Sequence, residues 1–405
     1  RGQTKNNILG LINTFAGGAF ARGAIFALGI MPYISASIFM QLVSIAIPSF
    51  QRIQKEGEEG RRKINQYTRI LTIIFTSVQA YAYLNNIIST PGNQGALLFN
   101  YGDVMSKSMF LITNVFLLTA GTMFTMWMGE RITDRGLGNG ISLIIMVGII
   151  ARLPSALVGE FLFRLTKGGP ILFLVEMVIW FLVVLLVIML TQGTRKISVN
   201  YAKRVVGNRQ YGGVRNYLPI KILAAGVMPI IFAQALLFLP ATIGSFYTET
   251  TAPGWLMSLM NPYGFWHNAF LVFLIIVFTY FYTVILFNPV QMADEMKRNN
   301  GFIPGVKPGK QTANLIDEVI TRITLSGAIV ISLIAVLPVF AVQANVNQEF
   351  SQFYGGTSLL ILVGVVLDTL QQIESYLLMR KYDGFMSGGG KLKGRMTGQT
   401  QNVDF

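Results

Sequence analysis

Long stretches of sequence without a single charged side chain constrain this chain more than any other feature. Four of them cover residues 23–51, 108–129, 222–248 and 323–348. A helix of about 20 apolar residues is long enough to cross the hydrocarbon core of a bilayer, at a rise of about 1.5 Å per residue. Each stretch exceeds that length. The sequence therefore predicts an all-α polytopic membrane protein and excludes a soluble one.

The composition narrows the classes of function. Hydrophobic residues make up 52% of the 405 residues, and charged residues make up only 12%, about half the share of a soluble domain. With no Cys and a single His, the chain cannot build a thiol nucleophile, a disulfide framework or a Cys/His zinc site. The sequence also has no phosphate-binding loop and no catalytic pair in its spans. We therefore expect no catalytic residues, no metal site, no cofactor and no enzyme activity.

Apolar runs and charged breaks together predict nine spans. They cover residues 25–48, 69–86, 109–129, 139–157, 171–191, 219–244, 267–289, 320–343 and 356–378. In this arrangement 25 of the 32 Lys and Arg residues lie on one side of the membrane and four on the other. Short cytoplasmic loops retain basic residues, so the basic side, which includes the C-terminus, is predicted to be cytoplasmic.

Two cytoplasmic loops, 192–217 and 290–316, are longer than a connection requires. The first has six basic residues and no acidic one and is predicted to form a projecting hairpin, while the second has four basic residues around a turn rich in Pro and Gly. Attraction to anionic lipid is one interpretation of this charge. A docking platform for a partner is the other, because exposed loops on a rigid scaffold commonly carry contacts.

Two motifs recur in order along the chain. GIMPYI at 29–34 matches GVMPII at 226–231, and GISLII at 140–145 matches GTSLLI at 356–361. The two copies are five spans apart, an odd number, so corresponding helices cross the membrane in opposite directions. The pattern predicts two inverted pseudo-symmetric halves of five helices, with nine spans present and one further span expected before residue 1. Chance similarity between helices kinked by proline is the alternative.

Inverted repeats have their functional pathway at the interface between the halves. The repeated motifs bring only aliphatic side chains to that interface: Ile30, Ile34, Ile141, Ile145, Ile231 and Ile361. Such a collar excludes ions and water by dewetting but has no specificity for a bound solute. A secondary transporter of the inverted-repeat type, the alternative function, requires polar or ionisable groups there instead.

The segment 8–22 is apolar, contains three glycines and is too short to span. It is predicted to be a re-entrant or stopper segment on the non-cytoplasmic side, because non-spanning backbone at membrane depth must be buried in protein or line water. An interfacial amphipathic helix is the alternative.

Longer motifs resemble those of one known family. They are FALGIMPYISASI at 26–38, KEGEEGRRKINQYTR at 55–69, TAGTMFTMWMGERITDRGLGNGISLII at 119–145, FNPVQMADEMK at 287–297 and GFIPGVKPGKQTA at 301–313. Over nearly its whole length the chain is similar to the bacterial SecY family, the channel subunits of the Sec protein-conducting translocon. The resemblance implies a channel of the bacterial inner (plasma) membrane that passes unfolded polypeptides across and releases hydrophobic segments into lipid through a lateral gate.

The resemblance also implies roles for individual residues. The pore ring corresponds to the six isoleucines of the repeated motifs. The plug corresponds to residues 8–21, with Ile8, Leu11, Ile12, Phe15, Gly17 and Gly18. Partner docking is implied at Arg204, Arg209 and Lys307, and the last of these stands where the family usually has Arg. The lateral gate is implied between the first two spans and the sixth and seventh, with the amide of Gln79 helping to set its opening energy.

The implied partners and domains follow the same pattern. The partners are SecE and SecG-type small membrane subunits, the SecA ATPase or the ribosome as external motor, signal sequences and nascent polypeptides, and membrane lipid. The implied domains are a plug segment at 1–24, a first half at 25–165, a second half at 166–378 and a cytoplasmic tail at 379–405.

Overall fold

A computed structural model of the chain describes residues 17–20, 23–89, 106–136, 138–166, 168–201, 204–206, 209–211, 215–223, 226–244 and 254–387. Within these ranges the helices are α1 (Met31–Ala46), α2 (Pro48–Lys55), α3 (Glu58–Ser89), α4 (Lys107–Asp134), α5 (Gly140–Thr166), α6 (Pro170–Gln192), α7 (Met228–Gly244), α8 (Gly254–Met260), α9 (Phe265–Leu286), α10 (Pro289–Arg298), α11 (Lys310–Gln343), α12 (Gln348–Ser351) and α13 (Gly356–Ser387). The strands are β1 (Thr194–Tyr201), β2 (Arg204–Val206), β3 (Arg209–Tyr211), β4 (Arg215–Lys221) and β5 (Gly301–Phe302).

Each of the nine predicted spans overlaps a helix of the structure. Six helices in the described ranges are long and apolar enough to cross a membrane, and α1 with α2 makes a seventh if this pair, bent by 104°, is one span. Two of the nine predicted spans are therefore not among these helices. One corresponds to α3, which carries a buried polar stripe of Thr68, Thr72 and Thr76, and the other to α7, which has only 17 residues. The chain is a multi-pass helical membrane protein, and the count of nine spans stays a prediction.

Two helices begin later than the sequence predicts. α1 begins six residues and α7 nine residues after the predicted starts of spans 25–48 and 219–244. The described residues in between are turns before α1, and the end of β4 with further turns before α7. Pro32 and Pro229 are the second residues of these helices. In the first turn of a helix the backbone N–H groups have no acceptor within the helix, so a proline, which lacks this N–H, loses no hydrogen bond there. These prolines start their helices rather than kink them.

The fourth span is longer than predicted. α5 runs to Thr166, nine residues beyond the expected end at residue 157. The charged residues Glu160 and Arg164 suggested that the helix had already left the membrane, but both side chains are buried. Their charges are matched by other parts of the protein, so the helix continues.

The two basic loops form one folded body. β1 and β4 of the first loop pair antiparallel from Thr194 opposite Lys221 to Asn200 opposite Arg215, and β2 pairs with β3 beyond them, so the predicted hairpin is confirmed. The second loop joins the same sheet through β5, where Phe302 lies opposite Asn200. The strand order is β4–β1–β5.

A small apolar core fixes this sheet to the membrane helices. Its buried members come from β1, β4, the turn after β5 and the start of α11: Val199, Ile220, Ile303, Ile316 and Ile320. The burial of these side chains stabilises the loops as a rigid extension of α11.

The main apolar core lies where helices of the two predicted halves meet. Its buried residues come chiefly from α1 and α5 of the first half and from α7, α9, α11 and α13 of the second. In contrast, α6 exposes apolar side chains such as Ile171, Leu174, Phe181 and Met189. A helix that is apolar on its outer faces suits contact with lipid.

Candidate functional site

The repeated motifs begin their helices in matching ways. Gly29 and Gly226 precede α1 and α7 with φ of +55° and +63°, a left-handed conformation that glycine adopts without steric penalty. Gly140 and Gly356 are the first residues of α5 and α13. The matched sequences therefore have matched helix starts, as a duplication predicts.

The six isoleucines of the predicted ring meet in one apolar cluster. Ile141 packs at its edge, and the other five are at most 6% exposed: Ile30, Ile34, Ile145, Ile231 and Ile361. They come from the starts of α1 and α5 in one half and of α7 and α13 in the other. None of these side chains has a hydrogen-bonding group, so they contribute only apolar contacts to this core.

A cavity of about 270 Å³ lies beside this cluster, on the side of the basic loops. It is lined by the starts of α5 and α7, by the end of β4 and by α13 beyond Ile361, including Asn139, Ser142, Lys221 and Asp368. The lining mixes polar and apolar side chains and comes from both predicted halves. The cavity therefore brings polar groups next to the apolar cluster.

The predicted plug lies mostly outside the described residues, which include Gly17 and Gly18 but not Ile8, Leu11, Ile12 or Phe15. A Cβ added to Gly17 would lie 3.6 Å from the Cα of Gly148 on α5. The carbonyl oxygen of Phe20 accepts a hydrogen bond of 2.6 Å from the hydroxyl of Tyr83 on α3. The described end of this segment is therefore held by the first half.

Two walls of the predicted lateral gate are in contact. Tyr282 of α9 donates a hydrogen bond from its hydroxyl to Oε1 of Gln41 on α1. The ring of Phe232 on α7 lies 4.9 Å from that of Tyr282, between centroids, and α1 packs against α7. The helices of the predicted gate therefore contact each other at these residues.

The amide of Gln79, expected to hydrogen-bond in the gate, is buried in α3 at 4% exposure. Neither its Nε2 nor its Oε1 has a hydrogen-bond partner among the described residues. A buried polar group without a partner is unfavourable by about 1–3 kcal/mol. Gln79 therefore destabilises the closed packing around it.

The predicted docking residues belong to the two basic loops. Lys307 is exposed, and its carbonyl oxygen accepts a hydrogen bond of 3.0 Å from Oγ1 of Thr312, which ties the turn to α11. Arg204 and Arg209 lie in the paired strands β2 and β3, but their side chains are outside the described part of the structure. Arg204 and Arg209 share the β2–β3 sheet, while Lys307 follows β5 of the β4–β1–β5 sheet.

Sequence reasoning missed a buried charged cluster near the end of α5. Arg164 donates from Nε to Oε1 of Glu160 at 2.9 Å and from Nη2 to Oε1 of Glu176 on α6, and the three side chains are at most 7% exposed. The spacing of Glu160 and Arg164 by four residues is a signal for an ion pair on one helix face. The predicted end of the span at residue 157 left this pair outside the membrane.

The single histidine packs within the protein and binds a backbone group. His267 is buried, and its Nδ1 donates a hydrogen bond of 2.7 Å to the carbonyl oxygen of Leu259. Within the described ranges, no three His, Asp or Glu side chains lie close enough together to hold a metal ion.

Comparisons with known proteins agree with this architecture. A family model described as SecY matches residues 24–370. Relatives named protein translocase subunit SecY from Escherichia coli (strain K12) and Streptomyces scabiei are each 42% identical, over 94% and 95% of this chain and 85% and 89% of theirs.

Solved structures show the same fold. A protein-conducting channel is similar with a TM-score of 0.66 and 20% identity, over 94% of this chain and 87% of that one. Canine Sec61 in a ribosome–channel complex from the endoplasmic reticulum has a TM-score of 0.59 and 19% identity, over 91% and 85%. The matching family model spans all four copies of the repeated motifs. The chain therefore belongs to the SecY family.

Proposed function

We propose that this chain is the channel subunit of a Sec translocon, which passes unfolded polypeptides across the membrane and releases hydrophobic segments sideways into lipid. The observation that carries the proposal is that six aliphatic side chains from the four repeated motifs belong to one apolar core between the predicted halves. Two pairs of them, Ile34 with Ile231 and Ile145 with Ile361, stand at corresponding positions of the repeats. Membership of the SecY family and the names of the relatives support it.

The cluster acts as the pore ring by excluding water and ions. Isoleucine offers no hydrogen bond to replace those that water or an ion loses on entering. A polypeptide separates the helices by its bulk, and the branched side chains then close around it as a deformable seal. The ring therefore conducts varied sequences with little leakage.

The plug and the gate complete the channel. Residues 8–21 form the plug, with Ile8, Leu11, Ile12 and Phe15 as its apolar side chains, and the contact between Gly17 and Gly148 supports a position against α5. The lateral gate lies between α1 and α3 on one side and α7 and α9 on the other. The bond between Tyr282 and Gln41 crosses it.

The cytoplasmic body is the docking platform for an external motor, SecA or the ribosome. Its basic charge and the rigid support under the Lys307 turn favour this role over attraction to lipid alone, and Arg204 and Arg209 supply further charge. The relative in the canine complex is bound to a ribosome. The chain itself performs no catalysis, so the motor supplies the free energy for movement.

The complex is completed by SecE and SecG-type small membrane subunits on the apolar outer surface, where they share contacts with lipid. The bacterial relatives support a bacterial inner membrane location, and the distribution of basic residues supports an orientation with both loops and the C-terminus in the cytoplasm. Signal sequences and nascent polypeptides are the substrates.

A secondary transporter, the alternative, requires a polar site between the repeats. The core between the predicted halves, which contains the six isoleucines, is made of hydrophobic side chains. The charged cluster of Arg164 begins at Glu160, 15 residues after Ile145 on α5, which is about 22 Å along the helix. Its charged side chains bind one another and backbone groups of Asn345 and Asn347, away from the ring, so the cluster does not supply the polar site that a transporter needs between the repeats.

Reconstitution tests the proposal. Proteoliposomes that contain the chain, its small membrane subunits and SecA should make a secretory protein resistant to external protease when ATP is added. The same protein without its signal sequence should stay accessible. Uptake of a small solute along an ion gradient, without movement of the polypeptide, would favour the transporter.

A further inference from the structure

We infer that residues 155–166, the outer end of α5, move with the second half of the channel, and that α5 bends at Pro154 when the halves separate. Arg164 is the positioning residue that holds this end. The inference rests on the proposed function, because it concerns halves that move apart. It shifts the boundary between the halves from the α5–α6 connection, where the sequence suggests it, into the helix itself.

The first part of α5 is packed onto the first half. Gly140 lies so close to α4 that an added Cβ would be 2.0 Å from the carbonyl oxygen of Gly129. Further along, Gly148 lies beside Gly17, and a Cβ added to Gly18 would lie 4.0 Å from Nε of Arg152. Up to Arg152, the neighbours of α5 include α4 and the segment that Tyr83 of α3 holds.

The last part of α5 is bonded to the second half. Nη2 of Arg164 donates to the carbonyl oxygen of Asn345 at 3.0 Å, and Oε2 of Glu160 accepts from the backbone N–H of Asn347 at 2.9 Å. Asn345 and Asn347 belong to the connection between α11 and α12. One charged pair on α5 therefore binds two backbone groups of the other half.

The start of α6 is bonded to the next connection along the chain, between α12 and α13. Arg164 donates to Glu176, whose backbone carbonyl accepts a hydrogen bond of 2.7 Å from the hydroxyl of Tyr354. One turn later, Nε1 of Trp180 donates to the carbonyl oxygen of Phe353 at 2.7 Å. The end of α5, the start of α6 and the chain around α12 are thus one hydrogen-bonded unit.

This unit resists separation more than the apolar contacts do. Removing Glu160, Arg164 or Glu176 from its partners would leave a buried charge unpaired, which is strongly unfavourable. Contacts among apolar side chains, such as Ile145 in the ring, can part and form again without that penalty. The separating surface therefore passes through the ring and avoids the charged cluster.

Pro154 lies between the two parts of α5. Proline has no N–H to donate to the carbonyl oxygen four residues earlier, here that of Ile150, and its ring crowds that carbonyl. Helices bend at such positions more readily than elsewhere. Pro154 is therefore where α5 can bend while its start follows one half and its end the other.

Spin labels on the intact complex test the inference, since the chain has no cysteine of its own. One label replaces Val158 on the outer end of α5, paired with a label at Phe116 on α4 or at Phe340 on α11, all exposed positions. A third pair, Phe39 with Val284, reports separation across the gate. Distances are measured in nanodiscs, in the resting channel and with a polypeptide stalled inside.

On opening, the distance from 158 to 116 should change together with the distance from 39 to 284 across the gate. The distance from 158 to 340 should stay constant. A constant distance from 158 to 116, with a changing distance from 158 to 340, would overturn the inference. No change in the distance across the gate would contradict the proposed function instead. In that case the inference is tested by the variants of the resting channel described next.

In the resting channel, the combined variant E160Q, R164M and E176Q should broaden the distribution of distances between 158 and 340. The control E318Q with R322M removes an exposed ion pair on α11 and should leave that distribution narrow. An equally narrow distribution in the combined variant would overturn the inference.

The variant Pro154→Ala keeps the charged cluster intact. It tests the inference independently if the combined variant does not fold. It restores the donor of a continuous helix and should reduce the change between 158 and 116 on opening. A full change in that distance would contradict the assignment of the bend to Pro154.

Discussion

At the scale of single residues, buried polar side chains decide how readily the walls of the gate separate. Tyr282 and Gln41 satisfy each other across the gate and favour the closed state. Gln79 is buried without a partner among the described residues and disfavours it. Removing a paired group and removing an unpaired group should therefore shift the equilibrium between the closed and open gate in opposite directions.

Replacing Gln79 with Leu should stabilise the closed gate. An apolar side chain removes the unpaired amide, worth about 1–3 kcal/mol, which corresponds to a shift of about 5- to 150-fold in the closed-to-open ratio. Export of a substrate with a shortened signal sequence should fall more than export of one with a full signal. The control Gln234→Leu removes a bond to Thr357 within the second half and should not tighten the gate. Better export of the weak substrate by the Gln79 variant would contradict this account.

Replacing Tyr282 with Phe should loosen the gate. It removes one hydrogen bond of about 1 kcal/mol, so that Oε1 of Gln41 loses its partner while Nε2 still donates to Oγ of Ser37. We therefore expect opening to become easier by about fivefold. The same weak substrate should then be exported more efficiently. Tyr354→Phe removes a hydroxyl of similar burial away from the gate and serves as the control. Equal export by both tyrosine variants would refute a special role for Tyr282.

At the scale of elements, the pairing of β5 with β1 turns two loops into one body. Periodicity within each loop could not predict this, because the contact joins Asn200 to Phe302, about a hundred residues apart in sequence. The shared apolar core then holds Lys307 in a fixed place relative to α11. A rigid charged surface of this kind suits association with a partner.

Reversing the charge of Lys307 should weaken motor binding without unfolding the membrane helices. Exposed ion pairs contribute about 0.2–1 kcal/mol each, so we expect a loss of affinity of roughly two- to fivefold for Lys307→Glu at low salt. The loss should fade as salt screens the interaction. The loss of affinity is measured from the binding of SecA or ribosomes to the chain in nanodiscs at several salt concentrations.

Arg62→Glu, an exposed reversal on α3 outside both loops, controls for net charge. An equal loss in both variants would leave general attraction to the cytoplasmic surface as the explanation.

At the scale of the whole molecule, the sequence predicts most of what the bilayer and the duplication impose. Uncharged runs place the helices because lipid offers no partner to the backbone, and the six isoleucines that the repeated motifs single out all contribute to the main apolar core. The end of α5 could not be predicted in this way. Glu160 and Arg164 are buried because residues 176, 345 and 347 supply their partners, and such distant contacts leave no periodic signal.

Single-channel conductance in planar bilayers tests the pore ring most directly. The ring variant changes four isoleucines to Ser, namely Ile34, Ile145, Ile231 and Ile361. The control changes four exposed isoleucines to Ser, namely Ile171, Ile179, Ile329 and Ile373. Both are measured without a polypeptide, with the plug intact and with residues 8–15 removed.

The ring variant should conduct ions because water persists among the serine side chains, most strongly when the plug is shortened. The control should stay closed with the plug intact. A silent bilayer for the ring variant in both backgrounds would contradict the account, since the constriction would then lie elsewhere and the repeated motifs would serve only to pack the halves together.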